Sequence, residues 1–312
     1  MPKNIRLNME REPKRFPYGA RIDFFLNDDD IQFSFDGPAS LLAMDNAIVQ
    51  IDLAPDQPLG PLKDQRLYRA RIEGFPTAGE AEAMGLKLSL ALLWSAITKY
   101  FGMRLDYHSP LPTIVYDRTE SHGGIRVRGH LSTSFPATAA DFAELVSEVL
   151  SSSISVDRQL LLSMELFTAA GLETSERAKF LGLVSSLEPL ASQRTYPTSV
   201  ARVIDIFAEQ LRATDLSDLH EQDAARVKSS LEHRLKQLQK ESIRQALLRT
   251  IKEAFPGDDN SVKIIDEAYS QRSKMLHEGI TDPYLYRSAH AVEQILRRFY
   301  ALRIGKRLRI GA

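Results

Sequence analysis

Arg272, Ser273 and His277 lie within the string AYSQRSKMLHEG at residues 268–279, where residue type and spacing together point to chemistry. The run from about Val262 to Glu278 is expected to form a helix stopped by Gly279. At ~100° per residue, Ile265, Ala268, Tyr269, Met275 and Leu276 share one apolar arc with Arg272 at its centre. A cation in such a setting is costly unless a carboxylate or a bound anion pairs with it. His277 follows in the last turn, a titratable side chain at the negative end of the helix. An inward cation and a proton carrier suit a phosphodiester better than a core. Ser273 is either a hydrogen-bond donor to that phosphate, or to His277, or a plain surface serine. Glu188, at the end of an upstream apolar helix, is the candidate partner of Arg272, and such a pair would explain its burial without any catalysis. A second Arg-to-His spacing, Arg226 to His233, falls in a heavily charged stretch, so the spacing alone decides nothing.

Other chemistries find less support. With no cysteine in 312 residues, disulfides, thiolate metal sites and thiol catalysis are excluded. Asp28, Asp29 and Asp30 lack the alternating ligands, glycine and distal glutamate of a calcium loop, and a hairpin tip is expected instead. His108, His122 and His130 match no helical or zinc-finger spacing. Gly123-Gly124 lacks the Lys and the strand-loop-helix setting of a phosphate loop. Ser163, Ser185 and Ser186 lie in helical patterns without a nucleophile elbow. No metal and no cofactor is expected.

The elements that must position Arg272 and His277 are helical. Apolar residues recur at three- and four-residue intervals over Asp157–Ala170, Ser175–Ala191 and Pro197–Leu211. A long charged stretch runs from Leu216 to Phe255, and helices near Val262–Glu278 and Tyr284–Arg303, separated by Pro283, complete a bundle. The first half differs. Ala20–Phe35 alternates around Asn27–Asp30 as a hairpin, Ile48–Leu53 and Leu67–Ile72 read as strands, and Ala78–Tyr100 reads as a helix carrying Trp94. Thr77-Ala-Gly-Glu80 has the spacing of a capping box. A further helix, Ala139–Leu150, belongs clearly to neither half.

The expected fold class is therefore α+β: a mixed strand and helix domain over residues 1–150, then an all-α bundle over residues 151–312. No apolar run approaches spanning length, since Leu86–Phe101 contains Lys87 and Lys99, and Met1–Arg15 is too polar for a signal peptide; no membrane association and a cytoplasmic location are expected. Net charge is −1, with a small acidic excess in residues 1–150 and a small basic excess after them. Past Arg287 the balance tips further: Arg297, Arg298, Arg303, Lys306, Arg307 and Arg309 face a single acid, Glu293. Such a cluster either tracks a phosphate backbone or is a solvated helix end and tail.

The string AYSQRSKMLHEG, preceded by KESIRQALLRTI at 240–251 and RAKFLGLVSSLEPL at 177–190, resembles the Apea-like branch of the HEPN superfamily. The resemblance spans roughly residues 159–303: an early helix ending in a Leu-Glu-x-Leu step, a long polar helix, the Arg-x4-His helix, and a final helix. FPTAGEAEAMGLKLSLALL at 75–93 is similar to segments that precede such domains. The resemblance implies an all-α bundle acting as a homodimer or higher oligomer, and a metal-independent endoribonuclease in antiphage defence or a toxin system. Arg272 would hold the scissile phosphate and His277 would move a proton, with Ser273 and Glu188 in support and Arg297, Arg298, Arg303, Lys306 and Arg307 binding RNA. It also leaves two other readings: a non-catalytic dimerisation or RNA-binding module, and a sensor in which the first domain takes a trigger ligand or partner and gates the bundle.

Overall fold

The computed structural model describes residues 16–27, 39–44, 47–53, 65–107, 110–118, 144–217, 219–279, 282 and 284–306. The fold is α+β, with an antiparallel sheet toward the N-terminus and helices after it. The chain divides into two compact units, Met1–Lys179 with Arg303–Ala312, and Phe180–Leu302.

In the first unit, strands β1 (Tyr18–Asn27), β2 (Ala39–Met44), β3 (Ala47–Leu53) and β4 (Gln65–Phe75) precede helix α1 (Ala78–Lys99), and β5 (Met103–Asp106) and β6 (Ile114–Asp117) follow it. The sheet order is β2-β3-β4-β1, with β5 and β6 sharing the far edge of β1. Every pairing is antiparallel. The period of two in β1 decides its faces: Ala20, Ile22, Phe24 and Leu26 are buried, while Arg21 and Asp23 take the opposite side. The strands expected at 48–53 and 67–72 are β3 and β4. The second arm of the expected hairpin, with Asp28–Asp30, lies outside the described residues.

Helix α1 covers the sheet. Thr77 accepts the Glu80 N–H at 3.2 Å, realising one half of the anticipated capping box. From Leu88 to Thr98 every residue is buried, Trp94 completely. Its Ser89, Ser95 and Thr98 hydroxyls each donate to the carbonyl one turn back, so these three buried hydroxyls are satisfied within the helix. Gly85 sets the approach to the sheet, since a Cβ there would stand 2.2 Å from Thr113 Cγ2 and 2.8 Å from Ala20 Cβ. Among the described residues α1 is the one helix long and apolar enough to cross a membrane, and 72% of that stretch is buried inside the fold, as in a core helix. A helix over residues 144–150 (α2) precedes α3 (Arg158–Ala170), which is capped by Asp157 and packs on α1 and β5. The domain boundary expected at residue 150 therefore falls inside this unit rather than at its end.

The second unit takes most of α4 (Glu176–Ser185), a single 3-10 turn at Glu188–Leu190, α5 (Thr198–Ala213), α6 (Glu221–Gln237), α7 (Ile243–Ala254), α8 (Asp259–Glu278) and most of α9 (Leu285–Ile304). Two expected helices are interrupted. The run over Ser175–Ala191 stops at Ser185, and Glu188-Pro189-Leu190 forms the 3-10 turn, because Pro189 supplies no N–H to continue an α-helix. The stretch Leu216–Phe255 is two helices, not one. Residues 239–241 leave the helix to bridge residues 194–196, and Ser242 restarts it through a complete capping box with Gln245. The expected turn residue Pro283 lies outside the described residues.

Candidate active site on the Arg272 helix

Helix α8 is fixed at both ends. Asp258 accepts the Ser261 N–H at 3.0 Å and the Ser261 hydroxyl at 2.8 Å, and pairs with Arg298 at 2.9 Å. These three donors, the backbone N–H foremost, hold the Asp258 carboxyl below the usual carboxylate range. At the other end Gly279 adopts a left-handed φ of 69°, which glycine takes without strain, and the helix stops there as expected.

Helices α7 and α8 pack antiparallel. Arg244, in the first turn of α7, reaches Asp266 at 2.6 Å and Ser270 at 2.9 Å. The Arg244 hydrogen bond lowers the Asp266 pKa. Because α7 begins at this level, the last two turns of α8 run past it. This overturns part of the expected apolar arc: Ile265 and Ala268 are buried, but Met275 is half-buried and Leu276 is 54% exposed. Arg272 sits where the covered and uncovered portions meet.

There Arg272 Nη1 pairs with Glu188 at 2.8 Å, with side chains 22% and 33% exposed, the partnership anticipated from sequence. The guanidinium carbon lies 5.8 Å from the Tyr269 ring centroid, within cation–π range. Its Nε is buried and has no hydrogen-bond partner among the described residues. Pro189 helps to aim the carboxylate, since it shortens the turn that carries Glu188. Ser273 and His277 are exposed on α8. On an ideal helix Arg272 and His277 are ~140° apart and ~7.5 Å along the axis, so the two do not converge on one point from a single copy. The arrangement offers an anion-binding guanidinium held by a carboxylate, and an accessible imidazole just beyond it.

The basic residues of α9 do not form one solvated stripe. Arg297 is 3% exposed and pairs with Glu293 at 2.7 Å, so it leaves the set of surface cations expected to meet RNA. The physical reason is the i, i+4 pairing, which neutralises both groups on a helix face that also buries Leu296 and Tyr300. Arg298 is committed to Asp258 and stands 4.5 Å from the Phe255 ring centroid. Arg303 pairs with Asp157, the cap of α3, at 3.2 Å. Lys306 is half-buried, and Arg307 and Arg309 lie outside the described residues.

One polar cluster escaped the sequence reading. Asp23, 2% exposed on β1, accepts Arg69 of β4 at 2.8 and 3.2 Å and lies 3.3 Å from Arg21. Arg21 and Arg71 are direct cross-strand neighbours, and burial, reinforced by Arg69 and Arg71, lowers the Arg21 pKa. Near it the Tyr116 hydroxyl donates to Glu73 at 2.7 Å, and burial raises its pKa. The alternation of Arg21 with Asp23 and of Arg69 with Arg71 was the legible signal. Ser163 and Ser186 are buried, the latter donating to the Leu183 carbonyl at 2.7 Å. Among the described residues no group of three His, Asp or Glu side chains is placed to hold a metal ion. His108, His122, His130 and Gly123-Gly124 lie outside them. Compared with protein-family models, with curated proteins and with solved structures, the chain matches none.

Proposed function

We propose that the chain is a metal-independent endoribonuclease of HEPN type. The observation that carries this reading is Arg272, a half-buried guanidinium on the uncovered end of α8, with His277 exposed five residues later and Gly279 ending the helix. Arg272 binds the scissile phosphate and stabilises the charge that builds on its oxygens as the 2′-hydroxyl attacks. His277 carries a proton, taking it from the 2′-hydroxyl or giving it to the departing 5′-oxygen. The products are a 2′,3′-cyclic phosphate and a 5′-hydroxyl, with no water consumed in that step. The angular separation of the two side chains is met by a homodimer in which each phosphate is gripped from both copies. RNA is the partner, with Arg298 and Arg303 lending charge at the ends of their ion pairs and Lys306 adding a further cation. A cytoplasmic antiphage or toxin role fits such an activity, with a trigger acting through the first unit.

A second reading is favoured by one observation. The Arg272–Glu188 pair at 2.8 Å is also what a bundle uses to bury a cation, and a non-catalytic RNA-binding or dimerisation module needs nothing more. Incubation of the purified chain with total tRNA in EDTA separates the two. Cleavage that drops ~10²–10³-fold in Arg272→Ala and ~10²–10⁴-fold in His277→Ala is the nuclease result. RNA retained uncut by the wild type, and equally by both variants, is the binding-module result.

A further inference from the structure

Helices α5 and α6 form a hairpin with an unusual distribution of side chains. They run antiparallel, since the Tyr196 N–H at the start of α5 donates to the Gln239 carbonyl past the end of α6, at 2.9 Å. Between them they bury little: Ile204 and Ala208 on α5, and no residue on α6. At ~100° per residue, Val200, Val203 and Phe207 fall on one flank of α5, and Val227, Leu231 and Leu238 on one flank of α6 and its cap. Antiparallel packing brings both flanks to the same side of the hairpin. The opposite side carries the polar pairs, Arg212 with Glu232 at 2.6 Å and Gln239 with Asp205 at 3.4 Å. One side is thus fastened by ions, and the other exposes large apolar side chains, Val203 at 49%, Phe207 at 53% and Leu238 at 60%.

The size and charge of that side identify its occupant. Summed over these side chains it offers roughly 500 Å² of apolar surface, the upper range for a monomer, and two such faces together give about 1,000 Å², where specific interfaces begin. The charges beside it are self-complementary. Asp223 borders the apolar flank near the start of α6 and Arg234 near its end, and they lie equally far, to within a residue, on either side of the midpoint of Val227 and Leu231. A twofold axis through that midpoint sets Asp223 of one copy opposite Arg234 of the other while the apolar residues interdigitate. We infer that the α5–α6 hairpin is a homotypic interface, pairing with the same hairpin of a second copy as a four-helix bundle. This interface is independent of the Arg272 helix and does not rest on the nuclease reading.

Sedimentation of the full chain tests it. Phe207→Asp is expected to halve the copy number of the wild-type assembly at the same concentration, with helical content retained. Asp223→Arg and Arg234→Asp are each expected to weaken the assembly at least tenfold, and the two together to restore it, a rescue that loss of folding cannot imitate. A monomeric wild type overturns the proposal and leaves the face to a different protein. An assembly whose mass none of these substitutions changes also overturns it, because another surface then holds the copies together. RNA cleavage measured on the same proteins reports separately on Arg272 and His277.

Discussion

At the scale of single residues, Arg272 and Glu188 define each other. The carboxylate keeps a half-buried cation in place, and it also competes with the phosphate that the proposed chemistry would bring to Arg272. Glu188→Gln retains an acceptor but removes the charge. We expect it to cost no more than about 1 kcal/mol of stability, as for other partly exposed pairs. RNA should bind it more tightly than the wild type in a filter assay, because Arg272 is released from a competing carboxylate. Weaker binding would mean that Glu188 serves the RNA site directly. This pair was legible in the sequence because a cation inside an apolar arc demands a counter-charge, and Glu188 closes the neighbouring apolar run. The burial of Arg297 was not legible. Its clustering with other cations resembled a solvated tail, and only the packing of α9 shows that Glu293 and Arg297 neutralise each other inside the fold.

At the scale of elements, the α5–α6 hairpin buries only Ile204 and Ala208, and an ion pair between Arg212 and Glu232 joins its two helices. Arg212 donates to Glu232, Lys236 adds a second hydrogen bond, and the carboxyl is held down to about 2 from an ordinary 4.5. A carboxylate with a lowered folded pKa contributes stability above its unfolded value, and loses that contribution as pH falls through the folded one. Hydrogen exchange in α5 and α6, corrected for the intrinsic rate at each pH, should therefore accelerate between pH 4.5 and about 2. Glu232→Gln should remove that dependence. The same helices show why element limits were only partly visible beforehand. Periodicity runs unbroken through Leu238, and the break is set by residues 239–241 pairing with residues 194–196, a partner more than forty positions away. The local sign was the Ser242-to-Gln245 capping box inside the charged run.

At the scale of the whole molecule, strand-rich and helix-rich halves were evident from alternation giving way to three- and four-residue recurrence. Their limits were not, because α3 has the pattern of a bundle helix yet packs on α1 and β5. The sheet face carrying Arg21, Asp23 and Arg69 stayed hidden for a related reason: register, not sequence distance, brings β1 and β4 together. What the two units do together depends first on whether the second one cuts RNA, and by what chemistry. The deciding measurement is the identity of the new ends when an RNA oligonucleotide is incubated with the full chain in EDTA and resolved by mass spectrometry. The account predicts a 2′,3′-cyclic phosphate and a 5′-hydroxyl, absent with Arg272→Ala and with His277→Ala. A 3′-hydroxyl with a 5′-phosphate, or the same cyclic ends at undiminished yield from both variants, would contradict it.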